Sequence, residues 1–549
     1  MSTAYRDACR SFRWDEMVQA LGWTSTGSVN LGRTIVDRHA GSSRPALDWF
    51  GKAGQRRTVT FDELSRLSDR FACWLSAHGV GKGDRVAGYL PRIPETVVVM
   101  LGTWKAGAVY VPIFTGFGPD AIDFRLRHSG AKILCTHWEY RSRIPTGPSS
   151  VTTVTVEGAA ALADGDVGFG ATIEKESNDA DVTEVRRDEP AVLLYTSGST
   201  GQPKGVAIAS NFLAAIQPYM RYALDLHRDD TFWPTGDPGW GYGLVCYMGA
   251  LAMGVPVIVH EATPTAEYAL EHLCADAVTN LATTPTLLRG VMALPEEVRR
   301  RRPVRVRKAS SCGEPLNAEV VIFFQRHWGI TMMDQYGASE FGLPIGNCNA
   351  LPMEIKPGSM GLPLPGCTMA VVDDDGQQAA SDVVGHIGMR ADPEGYYSLG
   401  YWKDDARTQN LFRGGWMTIG DLARRDRDGY FWFEGRSDDV IKSAGYRIGP
   451  FEVESAILGH PAVAEAAVVG KPDPLRGHIV KAFVVLKAGH ASSAELGEAI
   501  ADVVKERVGR HQYPREIEFV DALPKTETGK IQRFLLRTAS RRSSSEETA

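Results

Sequence analysis

The sequence predicts an α/β protein. It has a large N-terminal domain with mostly parallel sheets flanked by helices, and a small α+β domain at the C-terminus. Three observations carry this. At 549 residues the chain is too long for one hydrophobic core and suits roughly two to four folding units. Helical and strand-like patterns alternate through roughly the first 435 residues, as when helices pack on parallel strands. After the polar stretch EGRSDD (434–439) a second, self-contained set of helices and strands begins, of ordinary domain size.

TFDELSRLSDRFACWLSAHG (60–79) spaces its apolar residues for a helix and ends on a glycine stop. DRVAGYL predicts a strand, ETVVVMLGTWKAG a helix, and AVYVPI the next strand. Residues 139–190, richer in Ser, Thr, Gly and acidic residues, predict loops plus the single strand VTTVTV. Residues 242–259, YGLVCYMGALAMGVPVIV, are 18 uncharged residues, near the length of a membrane span. Gly243, Gly249, Gly254 and Pro256 interrupt them, so a buried helix and then a buried strand are predicted, and no membrane span.

Beyond the boundary, FEVESAILGHP and AELGEAIADVVKERV predict helices, while VAEAAVVG, IVKAFVVLK and REIEFV predict strands. A final basic helix follows PKTETGKIQ. The expected divisions are 1–436, 437–540 and a tail, 541–549, whose low complexity predicts disorder.

A formal charge of −6 gives no electrostatic case for nucleic acid. The charged start MSTAYRDACRSFRWDE lacks a signal peptide's apolar stretch. Eight scattered cysteines form no C-x-x-C pair, which suits a reducing compartment without a disulfide framework or zinc site. A cytoplasmic protein is expected. Nothing in the sequence indicates an oligomeric state.

TSGSTGQPKG (196–205) packs hydroxyls, glycines and a lysine into ten positions. Glycines let the backbone approach a ligand, and the hydroxyls and lysine donate hydrogen bonds, so an anion with many oxygens suits it. It is not a Walker loop, because Gly205 follows Lys204 rather than preceding it. A flexible Gly/Ser linker is the competing reading. Against it, the strand-like AVLLY leads in and VAIAS follows shortly after. On local features alone the two remain open.

Four further motifs follow in order: SCGEPLN (311–317), DQYGASEFG (334–342), TIGDLARRDRDGYFWFEGRSDDVIKSAGYRIGPFEVE (418–454) and LPKTETGK (523–530). Together the five resemble the signature series of the adenylate-forming superfamily: acyl-CoA synthetases, peptide-synthetase adenylation domains and luciferases. The resemblance runs from about Asn30 to Arg537. VYVPIFTGFGPDAIDFRLRHSGAK and GDPGWGYG look most like short- and medium-chain acyl-CoA synthetases.

The resemblance implies ATP, Mg²⁺, coenzyme A and a small carboxylic acid as cofactors and partners. It implies that Thr196, Ser197, Gly198, Ser199, Thr200, Gly201 and Lys204 hold the β- and γ-phosphates of ATP. Gly313, Glu314 and Pro315 line one side of the adenine; Asp334, Gln335, Tyr336 and Ser339 belong to the opposite wall, with Tyr336 as the stacking ring. Ser339 stands where the family usually has Thr, and the hydroxyl survives. Glu340 is implied to help hold Mg²⁺, a hard cation suited to carboxylate and phosphate oxygens. Asp421 accepts from the ribose hydroxyls, and Arg436 contacts the same region.

Lys530, with Lys204 and Arg436, makes up the implied catalytic set. Lys530 bridges the substrate carboxylate and the α-phosphate, offsetting charge at phosphorus. The small domain is implied to be mobile, swinging about Asp438 so that Gly445 and Arg447 form a second, coenzyme A-facing surface. Trp240, Gly241, Tyr242, Cys312 and Gly337 match acyl-pocket positions. Acetyl-preferring relatives carry a tryptophan where Gly337 stands. Acids of about four carbons upward, or aryl acids, are therefore expected to be better substrates than acetate. The acceptor stays open at this point: a carrier-protein thiol, an amine, or activation of a small inorganic acid would use the same motifs.

Overall fold

The computed structural model describes residues 2–546 apart from 25–26, 145–150, 159–161, 175–181, 199–200, 276–277, 301–303, 305, 391, 393–394, 438, 444–445, 474–475, 510–511 and 526–530. Among the described residues, the N-terminal region builds a nine-stranded and an eight-stranded sheet. Parallel pairing prevails in both, and antiparallel strands occur only at their ends. The buried strands read as short apolar runs, as strands covered on both faces should.

The helices start and stop where side-chain chemistry lets them. Phe61–Ala77 begins at Thr60, whose hydroxyl accepts from the Glu63 amide at 3.1 Å, and buries Phe61, Leu64, Phe71 and Leu75 completely. Each such side chain contributes about 1.5–3 kcal/mol relative to exposure. Pro94–Lys105 starts on proline and is buried all round. The apolar stretch at 242–259 resolves as expected into the helix Gly241–Ala252 and the strand Val257–His260, with Gly254 at φ +73° between them. Among the described residues, no helix is long and apolar enough to cross a membrane.

Lys105 closes the second of these helices with a side chain that is 0% exposed. Its ammonium meets Asp37 at 2.6 Å and Asp69 at 2.7 Å, tying this helix to two neighbouring segments. Lys105→Met is expected to destabilise this domain by about 3–5 kcal/mol, because two carboxylates would lose their shared cation. A thermal melt reads this directly, and an unchanged melting temperature would show that the pair of aspartates is solvated.

The alternation of helix and strand fails over 368–436, where a five-stranded antiparallel sheet forms instead. Its reversals are glycine turns. Gly414 and Gly415, at φ +52° and +80°, join the two strands of a tight hairpin, Arg413 pairing with Trp416. Gly429 at φ +89° serves the next hairpin. Over 139–190 the expected strand is Thr152–Val156; the strand Val167–Gly168 and the helix Phe169–Glu174 were not anticipated, being too short to show a period.

The C-terminal unit is the expected α+β domain. Val463–Asp473 and Gly477–Leu486 pair antiparallel, and Glu516–Phe519 joins the latter in parallel. Pro450–Leu458 and Ala494–Arg507 pack on this sheet around a separate core that includes Val453, Ile457, Val468, Val484 and Ile500. The last helix, Arg533–Glu546, runs on into the segment expected to be tail.

Candidate active site

The strands Pro190–Gly198 and Gly201–Ala209 pair antiparallel, with Thr196 opposite Lys204 and Gly198 opposite Gly201. The described residues of TSGSTGQPKG therefore lie on the paired ends of two antiparallel strands at the antiparallel end of the eight-stranded sheet. The Thr196 hydroxyl is buried and has no hydrogen-bond partner among the described residues. An unsatisfied buried hydroxyl is costly, and a phosphate oxygen would satisfy it. Only the backbone is described for Ser197, Gly198 and Gly201, and Ser199 and Thr200 lie outside the described residues.

Lys204 reaches from the hairpin to Glu340 at 3.1 Å and to the Tyr401 hydroxyl at 2.5 Å. Glu340 is 5% exposed and accepts from Tyr401 at 2.7 Å. The expected phosphate lysine and the expected metal carboxylate thus sit together. One carboxylate, with phosphate oxygens completing the set, fits the hard octahedral demand of Mg²⁺.

The segments expected to wall the adenine come from neighbouring parallel strands of the nine-stranded sheet. Lys308–Ser311 leads to Cys312 and Gly313, and Met332–Ala338 carries Asp334, Gln335, Tyr336 and Gly337. Gly313 has φ +97°, and a side chain there would lie 2.7 Å from the Trp240 ring, so glycine is required on both counts. The Glu314 carboxylate is held in place, accepting from Thr286 at 2.8 Å and Arg289 at 2.6 Å. Asp334 is buried, and burial pushes its carboxyl well above the ordinary range; its side chain accepts from the Gln335 amide at 3.0 Å. Ser339 is half-buried in the turn before Glu340.

Asp421 and Arg436 face each other across paired strands of the antiparallel sheet. The guanidinium donates to Asp421 at 2.8 Å, and the Tyr336 hydroxyl donates to the other carboxylate oxygen at 2.7 Å. Burial raises the Asp421 pKa, while Arg436 and Tyr336 pull against it. Each carboxylate oxygen keeps a lone pair for a further donor.

The acyl-pocket positions form an aromatic wall. Trp240 and Tyr242 meet edge-on with ring centroids 6.1 Å apart, and Cys312 is buried. The Tyr242 hydroxyl lies 3.1 Å from that of Tyr219, which donates to Gln335 at 2.6 Å. A side chain on Gly241 would meet Leu194 at 2.7 Å, and one on Gly337 would meet Leu343 at 2.4 Å and the Gly342 carbonyl at 2.5 Å. The volume behind Gly337 is therefore filled by Leu343 and backbone.

A cavity of about 260 Å³ runs between the segment 313–317 and the C-terminal domain, lined by Glu314, Pro315, Phe433, Arg436, Phe451 and Arg533 among others. Asn317 bonds Ser455 across the same junction at 2.8 Å. Of the residues assigned to domain movement and its chemistry, Asp438, Gly445 and Lys530 lie outside the described residues, and Arg447 is described only as backbone in the strand Tyr446–Ile448. Sequence reasoning missed Tyr401, Tyr219, Thr286 and Arg289, none of which sits in a motif that announces a contact.

The family model described as AMP-binding enzyme matches residues 36–402, and that of the AMP-binding enzyme C-terminal domain matches 452–530. The chain is 38% identical to an acetyl-coenzyme A synthetase of Bacillus subtilis (strain 168), over 97% of this chain and 94% of that protein. A crystal structure of Brucella canis acyl-CoA synthetase shares 40% identity, with a TM-score of 0.78 and 98% of each chain covered. The anthranilate CoA ligase AuaEII, solved with anthranoyl-AMP, gives a TM-score of 0.86 at 29% identity, covering 94% of this chain and 98% of its own. With a family model over most of its length and these relatives beside it, the chain belongs to the AMP-binding, adenylate-forming enzymes, as an acid-activating, AMP-forming acyl-CoA ligase.

Proposed function

We propose that the protein joins a carboxylic acid of about four carbons or more, or an aryl acid, to AMP and then passes the acyl group to coenzyme A. The observation that carries this is convergence. Lys204 meets Glu340, Tyr336 and Arg436 meet Asp421, and Gly313, Glu314 and Pro315 line one cavity with Arg436.

In the first step a carboxylate oxygen attacks the α-phosphorus, and the bond to the bridging oxygen of pyrophosphate breaks. No general base is needed, since a carboxylic acid is ionised near neutral pH. Thr196 and Lys204 supply donors for the departing phosphates, Asp421 accepts from the ribose, and Lys530 offsets charge at the α-phosphorus. Mg²⁺, bound through Glu340, would neutralise charge on the triphosphate. In the second step the coenzyme A sulfur attacks the acyl carbon, AMP leaves with the electron pair, and the thiol proton goes to solvent. The small domain presents Lys530 in the first step and the face bearing Gly445 and Arg447 in the second, turning about Asp438; the boundary lies near residue 436.

Chain length rests on the wall of Trp240 and Tyr242, with Leu343 rather than an indole closing the side at Gly337. Because Leu343 and backbone fill the space behind Gly337, substitution there would displace the main chain, and Tyr242 is the better probe. Tyr242→Ala is expected to move the optimum toward acids two or three carbons longer. At about 0.8 kcal/mol per buried CH₂ the preference changes roughly tenfold to a hundredfold. The measurement is kcat/KM over a straight-chain series. A wild type that peaks at acetate, or a variant whose optimum stays put, contradicts the assignment.

A further inference from the structure

We infer that Tyr401 is a positioning residue that fixes Glu340 for the divalent cation and holds Lys204 against it until the nucleotide arrives. The inference rests on the ATP- and Mg²⁺-dependent reading above. Tyr401 ends the short strand Ser398–Tyr401, which pairs antiparallel with the second strand of the phosphate hairpin, Tyr401 opposite Val206. That strand is fixed from several sides. The Ser398 hydroxyl donates to the Glu340 carbonyl at 2.9 Å, the Tyr401 amide donates to Thr408 Oγ1 at 2.8 Å, and the Trp402 amide donates to the Gly205 carbonyl at 2.8 Å. One element therefore sets the distance between the hairpin and the carboxylate.

The protons can be assigned by elimination. A lysine ammonium only donates and an ionised carboxylate only accepts. The Tyr401 oxygen, 2.5 Å from Lys204 Nζ and 2.7 Å from Glu340 Oε1, must accept from the lysine and give its single proton to the carboxylate. Lys204 Nζ also lies 4.4 Å from the centroid of the Tyr401 ring, so its charge is held by the π face as well. With the lysine donating to its oxygen, the phenol's one proton is committed to Glu340 Oε1. When a triphosphate draws Lys204 away, Glu340 loses its cation while Oε1 stays anchored by the phenol. The second oxygen is then the natural ligand for the arriving metal. Outer hydrogen bonds of this kind on a ligating carboxylate are typically worth 10- to 100-fold in metal affinity.

Tyr401→Phe keeps the ring and removes only the hydroxyl. The Mg²⁺ concentration giving half-maximal binding of a fluorescent ATP analogue, without acid or coenzyme A, is expected to rise about tenfold or more. KM for the carboxylic acid should hold within about twofold. In a Glu340→Gln background, the further change Tyr401→Phe is expected to leave the Mg²⁺ requirement where Glu340→Gln alone puts it, since the phenol acts through that carboxylate. Unchanged Mg²⁺ dependence in Tyr401→Phe, or equal shifts in both backgrounds, overturns the assignment. If Tyr401→Phe melts early, the same titration on Thr408→Val, which loosens the strand while keeping the phenol, decides: a smaller shift than in Tyr401→Phe supports it and an equal shift overturns it. A wild type whose ATP binding ignores Mg²⁺ overturns the functional reading itself, and this inference with it.

Discussion

Lys530→Ala is expected to slow acyl-adenylate formation by roughly two to three orders of magnitude, the scale for removing one electrostatic contact made in the transition state. The side chain is a single cation proposed to meet a substrate carboxylate and an α-phosphate, two anions that must be brought together for the bond to form. Without it their repulsion enters the barrier undiminished. Thioester formation from pre-made acyl-AMP should suffer far less, because phosphorus is no longer attacked and the small domain presents its other face. Pyrophosphate release in the first step, and coenzyme A thioester from synthetic acyl-AMP in the second, are measured separately. Equal loss in both half-reactions contradicts the two-pose account.

Asp421→Asn should raise KM for ATP about 10- to 100-fold. The carboxylate is proposed to accept charge-assisted hydrogen bonds from the ribose, each worth about 1.5–3 kcal/mol. The amide also leaves Arg436 without its anion and gives the Tyr336 hydroxyl a poorer acceptor. The loss should fall on KM for ATP more than on kcat, because the ribose keeps its place as phosphorus reacts. Burial raises the Asp421 pKa above the ordinary carboxylate value. The ribose partner is thus protonated at a higher pH than a surface aspartate, and wild-type KM for ATP should climb as pH falls toward that range. The asparagine variant carries no proton to gain and should lose this limb. A variant with normal KM, or with the same acid limb, removes Asp421 from the ribose site.

What the sequence revealed, and what it hid, follows the range of the interactions. The flanks of TSGSTGQPKG are local: the apolar runs AVLLY and VAIAS read as strands, and they pair with each other. The helix Gly241–Ala252 and its following strand were readable because Gly254 and Pro256 break the apolar run at the right place. The antiparallel sheet over 368–436 was read as more alternation, although Gly414–Gly415 and Asp428–Gly429 are hairpin turns that argued otherwise. Tyr401 was invisible for a different reason. It lies 197 residues from Lys204 and 61 from Glu340, and only strand pairing brings the three together. The contacts of Glu314 were hidden because Thr286 and Arg289, which hold it, come from the helix Pro285–Ala293, 25 or more residues earlier. The filling of the space behind Gly337 by Leu343 likewise belongs to packing across strands, which no local pattern encodes.

The central claim is acid activation through an adenylate with coenzyme A as acceptor, and the products of the wild-type enzyme test it most directly. A panel of carboxylic acids from acetate to octanoate, with benzoate, is incubated with ATP and Mg²⁺, with and without coenzyme A, and resolved by mass spectrometry. Without coenzyme A, bound acyl-AMP and one pyrophosphate per site are predicted. With it, acyl-CoA, AMP and pyrophosphate should appear in equal amounts, fastest for acids of four carbons or more or for benzoate. ADP and phosphate in place of AMP and pyrophosphate, or acyl-AMP that persists unchanged when coenzyme A is added, would contradict it.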